Sequence, residues 1–239
     1  MMLKEGLLRL LYFFKRMGKK ILITGGAAGK GLVLLRELAS QADNFVYFTY
    51  CHSAGSALKL MTEFKNTQAL RCDFTDAYSL SAFIDRLSNI TLDVVIHTAK
   101  VAVEATDISP VLLYEKKFQI QLRPILLITH EILKKFRQQQ SGTILLMVSN
   151  TSVSSAFDNT SVELAENMYL MGLSRIWAHE NANYNIRSEV LSLPSDSTVF
   201  SETFLFFLNK LITEKANTDE NSTTSSLVTE AVRRVEEWN

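Results

Sequence analysis

Four of the nine glycines in this 239-residue chain fall in one short run, Thr24-Gly25-Gly26-Ala27-Ala28-Gly29-Lys30-Gly31, directly behind the apolar stretch Lys20-Ile21-Leu22-Ile23. A strand that runs into a glycine turn and then a helix brings backbone N–H groups and the positive end of a helix dipole to one point, where a phosphate can sit. The segment Leu32 to Ala39 carries helical periodicity, and the stretch before the turn reads as a buried parallel strand. Any α/β unit also closes tight connections with such a turn. On this motif alone a nucleotide site and a structural turn both stand.

The elements that would position such a turn recur along the chain. Asn44 to Tyr50 is aromatic and β-branched and predicts a strand, Ala57 to Phe64 a helix, Ala69 to Cys72 a short strand and Ser79 to Leu87 a helix. The pattern repeats with Leu92 to His97 as a strand, about 111–137 as one long helix or a broken pair, and Gly142 to Val148 as a strand. A helix over Val162 to Asn181 and a strand over Asn185 to Ser192 follow. Strands separated by helix-length crossovers predict an α/β fold, a doubly wound parallel sheet flanked by helices in a single domain.

Composition narrows the classes. The chain has 47% hydrophobic residues and balances 25 basic against 25 acidic side chains. No basic stripe with interleaved aromatics appears, which argues against a nucleic-acid surface. Cys51 and Cys72 each follow a predicted strand; two thiols without a secretory signal are most simply reduced, which points to the cytoplasm, and no metal site is expected. Residues 1–16 form a basic, apolar extension too short in uncharged run to span a bilayer. It fits an upstream extension of a domain covering 17–239, an interfacial amphipathic helix in membrane contact, or a partner-docking helix. At the other end, 199–239 reads as an apolar helix from Phe200 to Ile212 in a lid-like position, a polar linker and a terminal helix.

Taken in order, the glycine turn, Cys72-Asp73-Phe74-Thr75-Asp76, Leu92 to Lys100, Gly142 to Ser149, Gly172 to Glu180 and Ile186-Arg187 resemble the short-chain dehydrogenase/reductase family, nearest to its β-ketoacyl-carrier-protein reductase-like group. The resemblance covers Met17 to about Ser195 and implies a Rossmann-like domain that binds NAD(P). Through it, Gly25, Gly29 and Gly31 match the glycines beside the cofactor pyrophosphate and Thr24 the threonine that holds the turn. Ala99 keeps the alanine of the family's Asn-Asn-Ala-Gly. Asp73 matches an aspartate that bonds the adenine; its plainer reading is a carboxylate near a helix N-cap. After the second strand the chain reads Tyr50-Cys51-His52-Ser53, with no carboxylate to accept bonds from a ribose 2′-OH or to repel a 2′-phosphate. His52, Ser53 and Lys30 favour NADP over NAD, with a solvent-facing His52 and no cofactor at all as the other readings.

The same resemblance exposes departures at the chemical end. Family members donate a proton from a tyrosine whose pKa a lysine four residues on lowers, while a serine holds the carbonyl oxygen. Ser149 matches the serine, but Glu163 stands at the tyrosine and Asn167 at the lysine. Gln121 replaces the asparagine of the long helix, and His97-Thr98-Ala99-Lys100 replaces Asn-Asn-Ala-Gly. Tyr169, six positions after Glu163, points elsewhere on the helix. Two functions remain. One is a pseudo-reductase that binds NADP(H) and serves as scaffold or regulatory subunit, as a homodimer or with an active reductase through the helices near 112–137 and 162–181. The other is a ketoreductase of 3-oxoacyl or related carbonyls in which Ser149 with Glu163 or Lys100 supplies the proton. A fold without present activity is the bland third.

Overall fold

A computed structural model of the protein describes residues 18–100, 110–149 and 160–193. The expectations for 1–16, for the segment after Leu193, for the Phe200 to Ile212 helix and for the terminal helix lie outside the described residues.

The strands are β1 (Lys20–Thr24), β2 (Phe45–Tyr50), β3 (Thr67–Arg71), β4 (Val94–His97), β5 (Gly142–Ser149) and β6 (Ile186–Leu193). They form one sheet in the order β3-β2-β1-β4-β5-β6, parallel at every pairing. Between them run α1 (Gly29–Ser40), α2 (Ala54–Glu63), α3 (Ala77–Leu87), α4 (Pro110–Lys117), α5 (Arg123–Gln139) and α6 (Thr160–Asn181). The expected doubly wound parallel sheet is therefore present, and its strand order reverses between β1 and β4. That reversal opens a crevice at the carboxyl ends of those two strands.

β1 is apolar over Ile21–Ile23 and buried from Ile21 to Thr24 because it is central and covered on both faces. Ile21 and Ile23 pack with Leu34, Leu35 and Leu38 of α1 in one layer, while Leu22 joins Phe83, Ile128 and Phe136 of α3 and α5 in the other. Each fully buried leucine of α1 stabilises the fold by about 1.5–3 kcal/mol relative to exposure. Lys135 of α5 ties the layers' edge by donating to the carbonyls of Ser88 (2.7 Å) and Ile90 (2.7 Å) behind α3. Orphan carbonyls at that helix end are satisfied this way.

The helical span expected near 111–137, as one long helix or a broken pair, is two α-helices joined without a gap. A single π turn over Phe118–Leu122 joins α4 to α5, with the Arg123 N–H bonded to the Phe118 carbonyl. Such an insertion rotates the side chains before it against those after it, and π turns are frequent at functional sites. Gln121 sits in this turn, buried.

Candidate functional site: a cleft at the strand crossover

The glycine run leaves β1 and enters α1 over the crevice. Gly25 has φ +76°, a left-handed conformation that a side chain would strain, and a Cβ there would also press on Ala99. Gly31 packs so closely on the Gly25 carbonyl and the Thr98 hydroxyl that a Cβ would overlap both. The turn is fixed further by Gly25 N–H donating to Thr49 Oγ1 (2.8 Å) and Thr98 Oγ1 donating to the Thr24 carbonyl (2.6 Å). Helix α1 has Ala28 at its N-cap with no side-chain bond to its first N–H groups, and no acidic residue in its first turn. Those donors and the helix dipole face the cleft.

That cleft measures about 850 Å³ and is lined by Gly25, Gly29, Lys30, His52, Ser53, Asp73, Ala99, Lys100 and Glu163 among others. Most of the residues singled out for the nucleotide half thus come together. Lys30 is partly buried, which lowers its pKa, and the neighbouring Lys100 lowers it further against the opposing pull of Glu163. Asp73 lies three residues before the N-cap of α3, as its plainer reading has it; the cap itself is Asp76, which accepts from the Tyr78 N–H (3.0 Å). Asp73 Oδ1 accepts from Thr75 Oγ1 (2.7 Å) and Thr75 N–H (2.9 Å), and these bonds hold its carboxyl below the usual carboxylate range.

A second cavity of about 390 Å³ lies behind the first and shares Ala99, Lys100, Met147 and Glu163 with it. Its other polar residues are His97, Lys117, Gln121, Glu166 and Asn167. At the boundary Lys100 is ion-paired with Glu163. Gln121 donates through Nε2 to the Ala99 carbonyl. His97 is buried between Thr24 Oγ1 (3.4 Å from Nδ1) and Thr129 Oγ1 (3.0 Å from Nε2), and burial pushes its pKa down to about 3. It is a neutral structural imidazole.

The site residue that sequence reasoning missed is Glu166. Burial raises its pKa despite Lys117 and Lys100 nearby; Lys117 Nζ is 3.9 Å away, and Oε1 has no hydrogen-bond partner among the described residues. The signal was the spacing of Glu163, Glu166 and Asn167 on one helix face. Ser149 ends β5, and its side chain lies outside the described set. Tyr169 is exposed and stacks edge-on against Phe118, with ring centroids 6.1 Å apart, so it lines neither the cleft nor the inner cavity.

A parallel sheet with a strand-order reversal, and over it a glycine turn feeding an uncapped helix, defines the dinucleotide-binding α/β class. Within it, residues 19–202 match the short chain dehydrogenase family model, and the chain belongs to that family. A solved structure with the provisional assignment betaketoacyl-ACP reductase superposes with TM-score 0.64 at 20% identity, covering 74% of this chain and 73% of its own. A short-chain dehydrogenase/reductase from Serratia marcescens gives TM-score 0.61 at 21% identity, covering 74% of each chain. L-Sorbose reductase from Gluconobacter frateurii, complexed with NADPH and L-sorbose, gives 0.61 at 16% identity over 74% of this chain and 70% of its own. No curated protein matches the chain.

Proposed function

We propose that this protein binds NADP(H) in the larger cleft and does not carry out the family's tyrosine-and-lysine carbonyl reduction. The observation that carries the reading is the Lys100–Glu163 ion pair at the boundary of the two cavities. On this reading Glu163 stands where the family keeps its proton-donating phenol, and its carboxyl is engaged by the Lys100 ammonium instead. Asn167 is buried at the position of the tuning lysine and carries no charge.

The other half of the cleft suits the nucleotide. Uncapped N–H groups at the start of α1 suit a pyrophosphate, and Asp73 has a carboxylate to offer an adenine amino group. His52, Ser53 and Lys30 suit a 2′-phosphate, and no carboxylate follows β2 to repel it, so NADP is preferred over NAD. The cofactor would supply hydride chemistry; the chain's own residues bind and orient.

The test is a pair of measurements on the full chain. NADPH is expected to raise the melting temperature by linkage to the folded state, while NADPH oxidation across a panel of 3-oxoacyl and related carbonyls stays at the blank. Turnover that falls in Ser149→Ala would replace this reading with an active reductase. The observation favouring that second reading is the Glu166 carboxyl in the inner cavity, whose pKa burial raises.

A scaffold or regulatory subunit needs a partner surface. Leu112, Tyr114, Phe118, Met168 and Tyr169 are exposed along α4, the π turn and α6, an apolar patch of the kind that pairs subunits. Pairing there, with a second copy or an active reductase, predicts that Tyr169→Glu converts an assembly to monomer by light scattering. Among the described residues no helix is long and apolar enough to cross a membrane.

A further inference from the structure

We propose that Cys51, His52 and Asp73 form a binding site for a thiophilic divalent cation, Zn²⁺ by its ligand chemistry, at the adenosine end of the cleft. The sequence carries no metal-ligand spacing; sheet register makes the site. Tyr50 of β2 is paired with Arg71 of β3, and the Cys72 N–H bonds to the Tyr50 carbonyl at 2.9 Å. The residues that follow each strand therefore leave the sheet side by side, which brings Cys51 and His52 against Asp73.

One sulfur, one imidazole nitrogen and one carboxylate oxygen lie within 4.8 Å of one another there. Cys51 Sγ and His52 Nε2 are 3.3 Å apart. Two ligands at about 2.3 Å and 2.0 Å from a tetrahedral zinc lie roughly 3.5 Å from each other, so these two atoms already stand at near-chelating separation. The Asp73 carboxylate oxygen lies within 4.8 Å of both. Asp73 is held by Thr75 through Oδ1, as outer partners orient a ligating carboxylate. Thiolate with imidazole selects zinc or its soft neighbours over magnesium and calcium.

Binding exchanges the Cys51 thiol proton, released to solvent, for a metal–sulfur bond. Three protein ligands leave a fourth position opening on the cleft. Because His52 and Asp73 are also the groups read as nucleotide contacts, zinc and NADPH exclude one another at this end. That competition rests on the nucleotide reading; the metal site itself does not.

Co²⁺ reports the site directly. The reduced full chain titrated with Co²⁺ is expected to show a thiolate-to-cobalt charge-transfer band saturating at one equivalent and abolished by Zn²⁺. Cys51→Ser should remove the band, and His52→Ala and Asp73→Asn should each weaken Co²⁺ binding at least about tenfold, with Cys72→Ala retaining it. His52 is exposed, so its replacement leaves the fold intact and keeps the test decisive if Asp73→Asn unfolds. Absence of the band in the wild type, or its persistence in Cys51→Ser, overturns the site. Saturating Zn²⁺ should weaken NADPH binding at least tenfold; equal affinity with and without zinc overturns the competition. NADPH failing to bind in metal-free protein overturns the nucleotide reading and leaves the cobalt result standing.

Discussion

The Lys100 ammonium pairs with the Glu163 carboxylate, joining the segment behind β4 to the start of α6 where the two cavities meet. Both side chains are partly exposed, so the pair adds little to stability. On the proposed reading its weight is chemical, since it engages the carboxyl group that stands where the family keeps a phenol.

Replacing Glu163→Tyr with Asn167→Lys restores a phenol and an ammonium four residues apart on α6 and releases Lys100. NADPH-dependent reduction of a 3-oxoacyl substrate is expected to rise from the blank to a measurable rate, general acid catalysis contributing about 10²–10⁴-fold. Tight NADPH binding without any rate in this variant would move the defect from α6 to Lys100, and Lys100→Gly added to the pair would then be the deciding measurement.

Glu166 predicts a stability dependence of one sign. Its folded pKa lies above the unfolded value near 4.5, so the folded state is favoured below that value and loses this advantage as pH rises through the folded pKa. Glu166→Gln removes the titration. Its melting temperature should exceed the wild type's by a few degrees or so at pH 8, and the difference should vanish below pH 4. A constant difference across pH would show that packing, not charge burial, sets the effect.

Acid acts through His97 in the opposite sense. Its pKa is about 3 when folded and 6.5 when free, so its contribution is intact above pH 6.5 and is lost as pH falls from there to about 3. The slope for one proton is about 1.4 kcal/mol per pH unit. His97→Asn should cost about 1–2 kcal/mol at pH 7 through lost packing and bonds, yet show a flatter urea midpoint between pH 6.5 and 3. Parallel curves for the two proteins would count against a buried neutral ring.

The glycine turn offers a test of the cleft itself. Gly31→Ala pushes a methyl into the Gly25 carbonyl and the Thr98 hydroxyl, which should destabilise the fold by about 1–3 kcal/mol. It should also shrink the NADPH-induced thermal shift. Gly55→Ala, where a Cβ meets open space, should leave both unchanged.

Much of this arrangement was legible in the residues. β1, its glycine turn and α1 were readable because an apolar run, positive-φ glycines and helical periodicity each leave a local mark. The alternation of strands and crossovers gave the parallel sheet for the same reason. The π turn at Phe118–Leu122 was not, since one extra residue in a helical turn leaves the hydrophobic spacing almost unchanged over so short a stretch. Glu163 and Lys100 each read singly as a candidate proton donor, but their pairing joins segments 63 residues apart, and no local pattern encodes it. Cys51, His52 and Asp73 stand apart in the sequence as two neighbours and a residue 21 positions on. Only the offset between β2 and β3 makes them neighbours.

Helix α1 begins at Ala28, an N-cap that makes no side-chain hydrogen bond. An anion docked at such a helix start binds the folded state and not the unfolded one, so its occupancy is linked to foldedness. On the proposed nucleotide reading, the chain's resistance to proteolysis would rise with added dinucleotide and fall when it is withdrawn.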